Sequence, residues 1–118
     1  MKTYDMYIDG QWMQSAGGQT YQAINPAKGE PFALVPEGTR EDALKAIAAA
    51  NAALKTWRNV PLWDRAALCV KVAEILDRRK DEIADILCTE LGKPRHSEAS
   101  IEAGEAAVPW RVAAEQAK

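Results

Sequence analysis

Near residue 38 the sequence changes its repeat, and that change limits the chain to an α+β arrangement in which strands come first and helices follow. Before it, short β-type runs alternate with turn residues. MYID (6–9) leads into GQW (10–12), and Asp9-Gly10 between two apolar runs is the strongest short-range hairpin signal that a single sequence offers. SAGGQ (15–19) reads as a flexible turn. TYQAINP (20–26) is extended up to its proline, which disfavours the α region at Asn25. AKGEP (27–31) is a second turn and FALVP (32–36) a short strand. Residues 5–36 are expected to form a small antiparallel arrangement of three or four strands, marginal without a packed face.

After Gly38 the period becomes helical. Thr39 can cap the N3 amide of a helix, and Asp42 stands in for the longer Glu of a capping box. Leu44, Ile47, Leu54 and Trp57 then make one apolar stripe, with alanines between them that permit close helix approach. A second helix is expected from about Pro61, a favoured first-turn proline. Its stripe runs Leu68, Val72, Ile75 and Leu76, and resumes at Ile83, Ile86, Leu87 and Leu91 after a slight break at 79–81. Gly92 supplies the residue after that helix and Pro94 prevents its resumption. Residues 96–118 read as a third helix, kinked or restarted at Pro109. It reaches Lys118 without a stop signal and so reads as cut.

The bulk numbers exclude several classes of function. A chain of 118 residues fits one small domain, too small for separate cofactor and substrate domains. A net charge of −2, with basic and acidic residues interspersed, gives no electrostatic reason to expect nucleic acid or an acidic membrane. The first residues lack the apolar core of a signal peptide and no 18-residue apolar run occurs, so a cytoplasmic location is expected. Cys69 and Cys88 form no CxxC pair, and with one histidine no zinc set can be assembled. Free, partly buried thiols are the simplest reading.

No constellation of residues carries chemistry. TELGKP (89–94) contains a Gly-Lys pair, but a phosphate loop needs a Gly five residues earlier and Ser or Thr after the Lys. Here Leu87 and Pro94 occupy those places, and the pair ends a helix, where the dipole presents its negative end. His96, Ser97 and Glu98 are too close along a helix start to face one another as a triad. Glu98/Glu102 and Glu102/Glu105 share a helix face and could bind a cation, although solvated face charges are their usual meaning. Trp12, Trp57, Trp63 and Trp110 suit core or interface anchors better than a ligand cage. There is no GxGxxG.

Three stretches taken in order carry a resemblance. MYIDGQW, then INPAKGEPFALVPEGTREDALKAIAAANAALKTW, then RAALCVKVAEILDRRKDEIADILCTELGKP resemble the N-terminal part of the NAD(P)-dependent aldehyde dehydrogenases. In that family YIDGxW, NPAxGE and ExGKP occur in this order and at about these spacings. The resemblance implies a Rossmann-like α/β family fold in a chain several times longer, of which this segment alone is α+β: a β-hairpin and short antiparallel strands, then three amphipathic helices. It implies NAD or NADP as cofactor, an aldehyde as small-molecule substrate, and a homo-oligomer, with no nucleic-acid or membrane partner. The reaction it implies is oxidation of an aldehyde to a carboxylic acid through a cysteine thioester, which a glutamate base helps to hydrolyse. Neither Cys69 nor Cys88 matches the nucleophile's motif. The segment is therefore expected to hold no catalytic or cofactor-binding residue, to bind no NAD(P) alone, and to be inactive alone.

Two further sites follow from the same resemblance. Aligned without gaps from Lys93, the positions lining the substrate entrance fall at Ile101 and Glu105. Glu105 departs from the apolar residue common there, which implies either a polar or cationic substrate or a slip of register near Pro109. Many family members also hold a monovalent cation, sodium or potassium, on backbone carbonyls just before NP and an acidic residue before xGKP. Those positions are Ile24, or its neighbour Ala23, and Glu90. The expected division is residues 1–38 as strands and turns and 39–118 as a helical part flanking the cofactor domain, with the remainder of the enzyme absent. The competing expectation is a non-catalytic helical interaction module that self-associates.

Overall fold

Turn chemistry builds the first part of the chain. The computed structural model describes residues 1–116, so the last two positions of the expected third helix lie outside the described residues. The chain divides into two units, Met1–Asn59 and Val60–Lys118. In the first, β2 (Met6–Ile8) and β3 (Gln11–Met13) form an antiparallel hairpin with Tyr7 opposite Trp12. Asp9 and Gly10 both take positive φ, 54° and 77°, the left-handed pair that a two-residue hairpin turn requires. The Tyr7 and Trp12 rings meet at 4.9 Å on the outer face, a cross-strand aromatic pair that pins the register.

A second sheet runs β1-β5-β4. β4 (Thr20–Asn25) and β5 (Glu30–Pro36) are antiparallel, with a register shift between Ala23 and Ile24. Between them the Asn25 side chain accepts from the amides of Ala27 and Lys28 at 2.9 and 3.2 Å, a local turn of the kind Asn favours. β1 (Lys2–Thr3) lies parallel to β5. Within residues 5–36 the expected four strands are present and paired antiparallel, but in two sheets instead of one. Among the described residues a fifth, β1, lies before that range and adds a parallel pairing; a two-residue strand is too short to leave a periodic signal.

The strands end at Pro36 and α1 (Arg40–Trp57) follows. Thr39 and Asp42 form the full capping box: the Asp42 amide donates to the Thr39 hydroxyl at 3.3 Å, and the Thr39 amide to the Asp42 carboxylate at 2.8 Å. The carboxylate does more than cap. It is 2% exposed, and it also accepts from the Ala16 amide at 3.1 Å and the Thr39 hydroxyl at 2.8 Å. The Ser15 hydroxyl has one hydrogen and two acceptors, the Glu37 carbonyl at 2.5 Å and Asp42 at 3.1 Å. One carboxylate thus ties the 15–18 turn to the start of α1. The Thr39 amide is the main reason its pKa falls from 3.8 to about 2; the Thr39 hydroxyl and the Ala16 and Ser15 donors add to this, while burial opposes it.

The second unit is helical: α2 (Leu62–Arg78), α3 (Lys80–Leu91), a π-helical turn (Arg95–Ala99), α4 (Ser100–Glu105) and α5 (Val108–Gln116). The break expected near 79–81 is at Arg79, whose φ of −105° and ψ of 11° leave the helical region. Gly92 takes φ 70° and returns its amide to the Cys88 carbonyl at 3.1 Å, the left-handed cap expected there. Pro109 sits in the first turn of α5, where a proline is tolerated, so the expected third helix is divided and restarts at Val108. The buried residues are small. Ala84, Ala99 and Ala103 form one cluster with Ile83, Leu87 and Cys88 packed on it, and Ala66, Ala73 and Ala114 are buried where α2 meets α5. No helix among the described residues is long and apolar enough to cross a membrane.

Arg95 holds the π-turn in place. Its guanidinium reaches Asp85 at 2.6 Å and Asp81 at 3.4 Å on α3, and also meets the Ser100 hydroxyl, which itself donates to the Arg95 carbonyl at 2.7 Å. Lys93, in the loop after α3, pairs with Glu102 of α4, and Arg111 of α5 pairs with Asp77 of α2.

Two outcomes follow. The folded pKa of Asp42 is depressed, so its contribution to stability is present above pH 3.8 and lost as the pH falls toward 2. Asp42→Asn should lower the thermal midpoint at neutral pH by more than Thr39→Ala, whose lost cap costs about 1 kcal/mol. The gap to the unsubstituted protein should close as the pH falls through that window, and a gap that is constant with pH would contradict the role given to the carboxylate. Arg95→Met should speed amide exchange over residues 95–105 and leave α2 unchanged; equal protection in both proteins would show that the π-turn does not depend on the guanidinium.

Candidate functional site

The residues implicated by sequence fall on three elements. Ile101 and Glu105 are one turn apart on α4 and both exposed, Ile101 by 56%. Residues four apart on a helix share a face, so the structure brings this pair together. The Arg95 and Lys93 ties fix the start of that helix, because Arg95 reaches Ser100 and Lys93 reaches Glu102. Glu102 is thereby engaged by Lys93, and among the described residues no group of three or more His, Cys, Asp or Glu side chains is placed to hold a metal ion.

Glu90 belongs to the second unit and lies exposed in the last turn of α3. Ile24 belongs to the first unit, on β4 beside the register shift, and its ladder partner is Pro31. A proline has no N–H to donate, so the ladder there is weaker in donors than a regular one. Ala23 sits on the other side of the same irregularity, opposite Ala33.

The remaining polar candidates have structural explanations. His96 is exposed in the π-turn. Cys69 and Cys88 are free and half-buried, and Cys88 packs on the Ala84–Ala99–Ala103 cluster as a small apolar group would. Lys93 is engaged with Glu102, and Gly92 ends a helix, so the Gly-Lys pair holds no phosphate. The turn from β5 into α1 is the place where a strand-to-helix junction could receive a pyrophosphate. The Thr39 amide in that turn already donates to the Asp42 carboxylate, an anion of the chain itself. The tryptophans correct the core half of the expectation: Trp12, Trp57, Trp63 and Trp110 are 70%, 44%, 62% and 43% exposed, which leaves them as surface anchors.

Sequence reasoning missed three residues. Asp42 was read as a cap only, because nothing local marks its reach to Ser15 and Ala16, 27 and 26 residues away. Arg95 follows a helix stop and carries no periodic signal. Arg65 lies in the first turn of α2 with its guanidinium Nε buried. Its position three residues before Leu68, in register with an apolar stripe, was the available clue.

Comparison with known proteins gives these observations a frame. The model of the aldehyde dehydrogenase family matches residues 12–118. Malonate-semialdehyde dehydrogenase 1 of Bacillus licheniformis is 40% identical over 87 residues, 74% of this chain and 18% of that protein. The 3,6-anhydro-alpha-L-galactose dehydrogenase of a Vibrio species is 37% identical over 93 residues, 79% of this chain and 19% of its own length. Among solved structures, an NAD-dependent aldehyde dehydrogenase from Sinorhizobium meliloti superposes with a TM-score of 0.91 at 35% identity, over 97% of this chain and 23% of that one. A betaine aldehyde dehydrogenase from Staphylococcus aureus, in complex with NAD+, gives 0.90 at 28% identity over 94% and 22%. The chain therefore spans about a fifth of the length of the curated relatives it matches. The ordered motifs, the strands that precede the helices and the Gly92 cap have one common explanation: this chain belongs to the aldehyde dehydrogenase family.

Proposed function

We propose that these residues are the N-terminal portion of an NAD(P)-dependent aldehyde dehydrogenase, which as a full-length homo-oligomer in the cytoplasm oxidises an aldehyde to a carboxylic acid through a cysteine thioester. The observation that carries the reading is the family match from residue 12 to residue 118, joined to helices whose apolar stripes are open. Leu44, Ile47, Leu54 and Trp57 on α1 are between 44% and 57% exposed, as expected of faces that the rest of a larger protein covers. The Thr39 amide of the strand-to-helix turn is taken by the Asp42 carboxylate and is not free for a pyrophosphate. The cofactor and the nucleophile belong to the remainder of the enzyme.

Within that enzyme Ile101 and Glu105 line the substrate entrance, and the exposed carboxylate of Glu105 favours a polar or cationic aldehyde. The relatives' names range over malonate semialdehyde, an anhydro sugar and betaine aldehyde, so this position is one place where their preferences can differ. Ile24 through its carbonyl and Glu90 through its carboxylate are assigned to a sodium or potassium ion; hard oxygen donors suit such ions, and the donorless Pro31 opposite Ile24 agrees with a carbonyl used in this way.

A second reading, a self-associating helical module, draws on the same open stripes. It differs in predicting that the full gene product has no aldehyde activity. Purified full-length protein should reduce NAD+ or NADP+ with an aldehyde, and no turnover with any aldehyde tested would favour the second reading. In that enzyme, Glu105→Gln should lower the preference for a cationic over a neutral aldehyde by about two- to fivefold in kcat/KM, the size of an exposed charge effect; an unchanged ratio would remove Glu105 from the entrance. The 118-residue chain alone should be inactive and should self-associate in sedimentation, whereas a compact monomer would show that its stripes need no cover.

A further inference from the structure

The helix α4 leans on α3 through methyl groups. Ala99 and Ala103 are buried against Ala84 of α3. A face of single methyl groups brings two helices close but offers few ridges to fix how one is turned about its axis. The opposite side of α4 is open among the described residues: a Cβ added to Gly104 would meet no atom within 4 Å. Arg95 supplies the missing direction. Its Nε–H donates to the Asp85 carboxylate at 2.6 Å, and one arm of the fork reaches the Asp81 carbonyl and carboxylate, both at 3.4 Å. The other arm meets the Ser100 hydroxyl, which donates in turn to the Arg95 carbonyl at 2.7 Å. That carbonyl also accepts the Ser100 amide, and the Pro94 carbonyl accepts the Ala99 amide at 3.0 Å. These are the bonds of a π-turn, which holds one residue more than an α-turn and is found mostly at functional sites. Asp85 and Asp81 are 70% and 82% exposed, so the charge attraction is screened. What remains is the planar geometry of the fork, which fixes Ser100 relative to α3.

We propose that Arg95 is a positioning residue for aldehyde selection. By forking between α3 and the first residue of α4 it sets the rotation of α4, and with it the direction in which Ile101 and Glu105 stand. The inference rests on the reading of those two side chains as the lining of the substrate entrance. An α-helix turns by about 100° per residue, and a rotation of only about 20° moves a side-chain tip by about 2 Å. A turn of α4 in one sense brings the acidic Glu102, the neighbour of Ile101, toward the place of the apolar side chain. The guanidinium touches no substrate and acts only through the helix it holds. The Lys93–Glu102 pair is a single-point contact between partly exposed side chains and does not replace the fork.

The test uses the full-length protein with Arg95→Met, Arg95→Lys and Ser100→Ala, read by crystal structures and by steady-state kinetics. Acetaldehyde is the small substrate; betaine aldehyde and the aldehyde of the same shape with carbon in place of its nitrogen are the larger ones. In Arg95→Met and Ser100→Ala, α4 should turn about its axis by at least about 20° relative to α3. KM for the two larger aldehydes should rise about three- to tenfold, with kcat for acetaldehyde within about twofold. Arg95→Lys keeps the charge but meets one partner at a time, so it should fall between. A loss of stability alone would lower kcat for all three aldehydes together and leave each KM unchanged. An unturned α4 in the Arg95→Met and Ser100→Ala structures, or unchanged KM values for the larger aldehydes, would overturn the proposal. Should Arg95→Met fail to fold, Ser100→Ala and Arg95→Lys still decide. An active enzyme with unchanged KM values in the variants sinks this inference alone. An inactive unsubstituted protein sinks the functional reading, and the structures still show whether Arg95 sets the rotation of α4.

Discussion

An alanine side chain is a single methyl group, and the interior of this chain is built almost entirely from such groups. Ala33, Ala66, Ala73, Ala84, Ala99, Ala103, Ala107 and Ala114 are the buried apolar residues among those described, and no large side chain is fully buried. Small residues let helix backbones approach closely, but each removes little apolar surface from water. At about 0.8 kcal/mol per buried methylene-sized group, against about 1.5–3 kcal/mol for a whole Leu, Ile or Phe, the larger side chains hold most of the stabilisation the sequence can supply. Those side chains point outward from α1 and remain half open on α2, so the apolar contribution is largely unrealised within these residues.

What orders the chain instead is a small number of directed polar contacts. The Asp42 carboxylate gathers donors from Thr39, Ala16 and Ser15 and so fixes where the strands give way to α1. Arg95 joins α3 to the π-turn and to the first residue of α4. Each contact is directional, and each holds a backbone start or stop in one geometry. The consequence for function is positional: the exposed face with Ile101 and Glu105 begins directly after the Arg95 clamp, so the clamp sets where those two side chains stand.

Much of this was legible from residues close in sequence. Asp9-Gly10 gave the hairpin, Thr39 with Asp42 the cap of α1, Gly92 with Pro94 the end of α3, and Pro109 the restart at α5, because turn and cap chemistry acts over three or four residues. The misses were of longer range. The parallel pairing of Lys2–Thr3 with β5 is decided by a free sheet edge and not by any pattern within two residues. The reach of Asp42 to Ser15 is decided by folding of the intervening strands. The tryptophans were assigned by type to a core or an interface, and only their exposure separates the two. For the candidate site, Ile101, Glu105, Ile24 and Glu90 are proposed from the family resemblance alone, while the Arg95 contacts at the start of α4 required coordinates.

As interior surfaces of the larger aldehyde dehydrogenase proposed above, the open apolar faces would be covered in the full-length protein. Hydroxyl-radical footprinting read by mass spectrometry at Leu44, Ile47, Trp57, Trp63 and Trp110 tests it most directly, with the full-length protein compared with the same protein unfolded in denaturant. The account predicts strong protection of the α1 residues and of Trp63 and Trp110 in the native full-length enzyme. Labelling of those side chains in the native enzyme as fast as in the unfolded chain would contradict it.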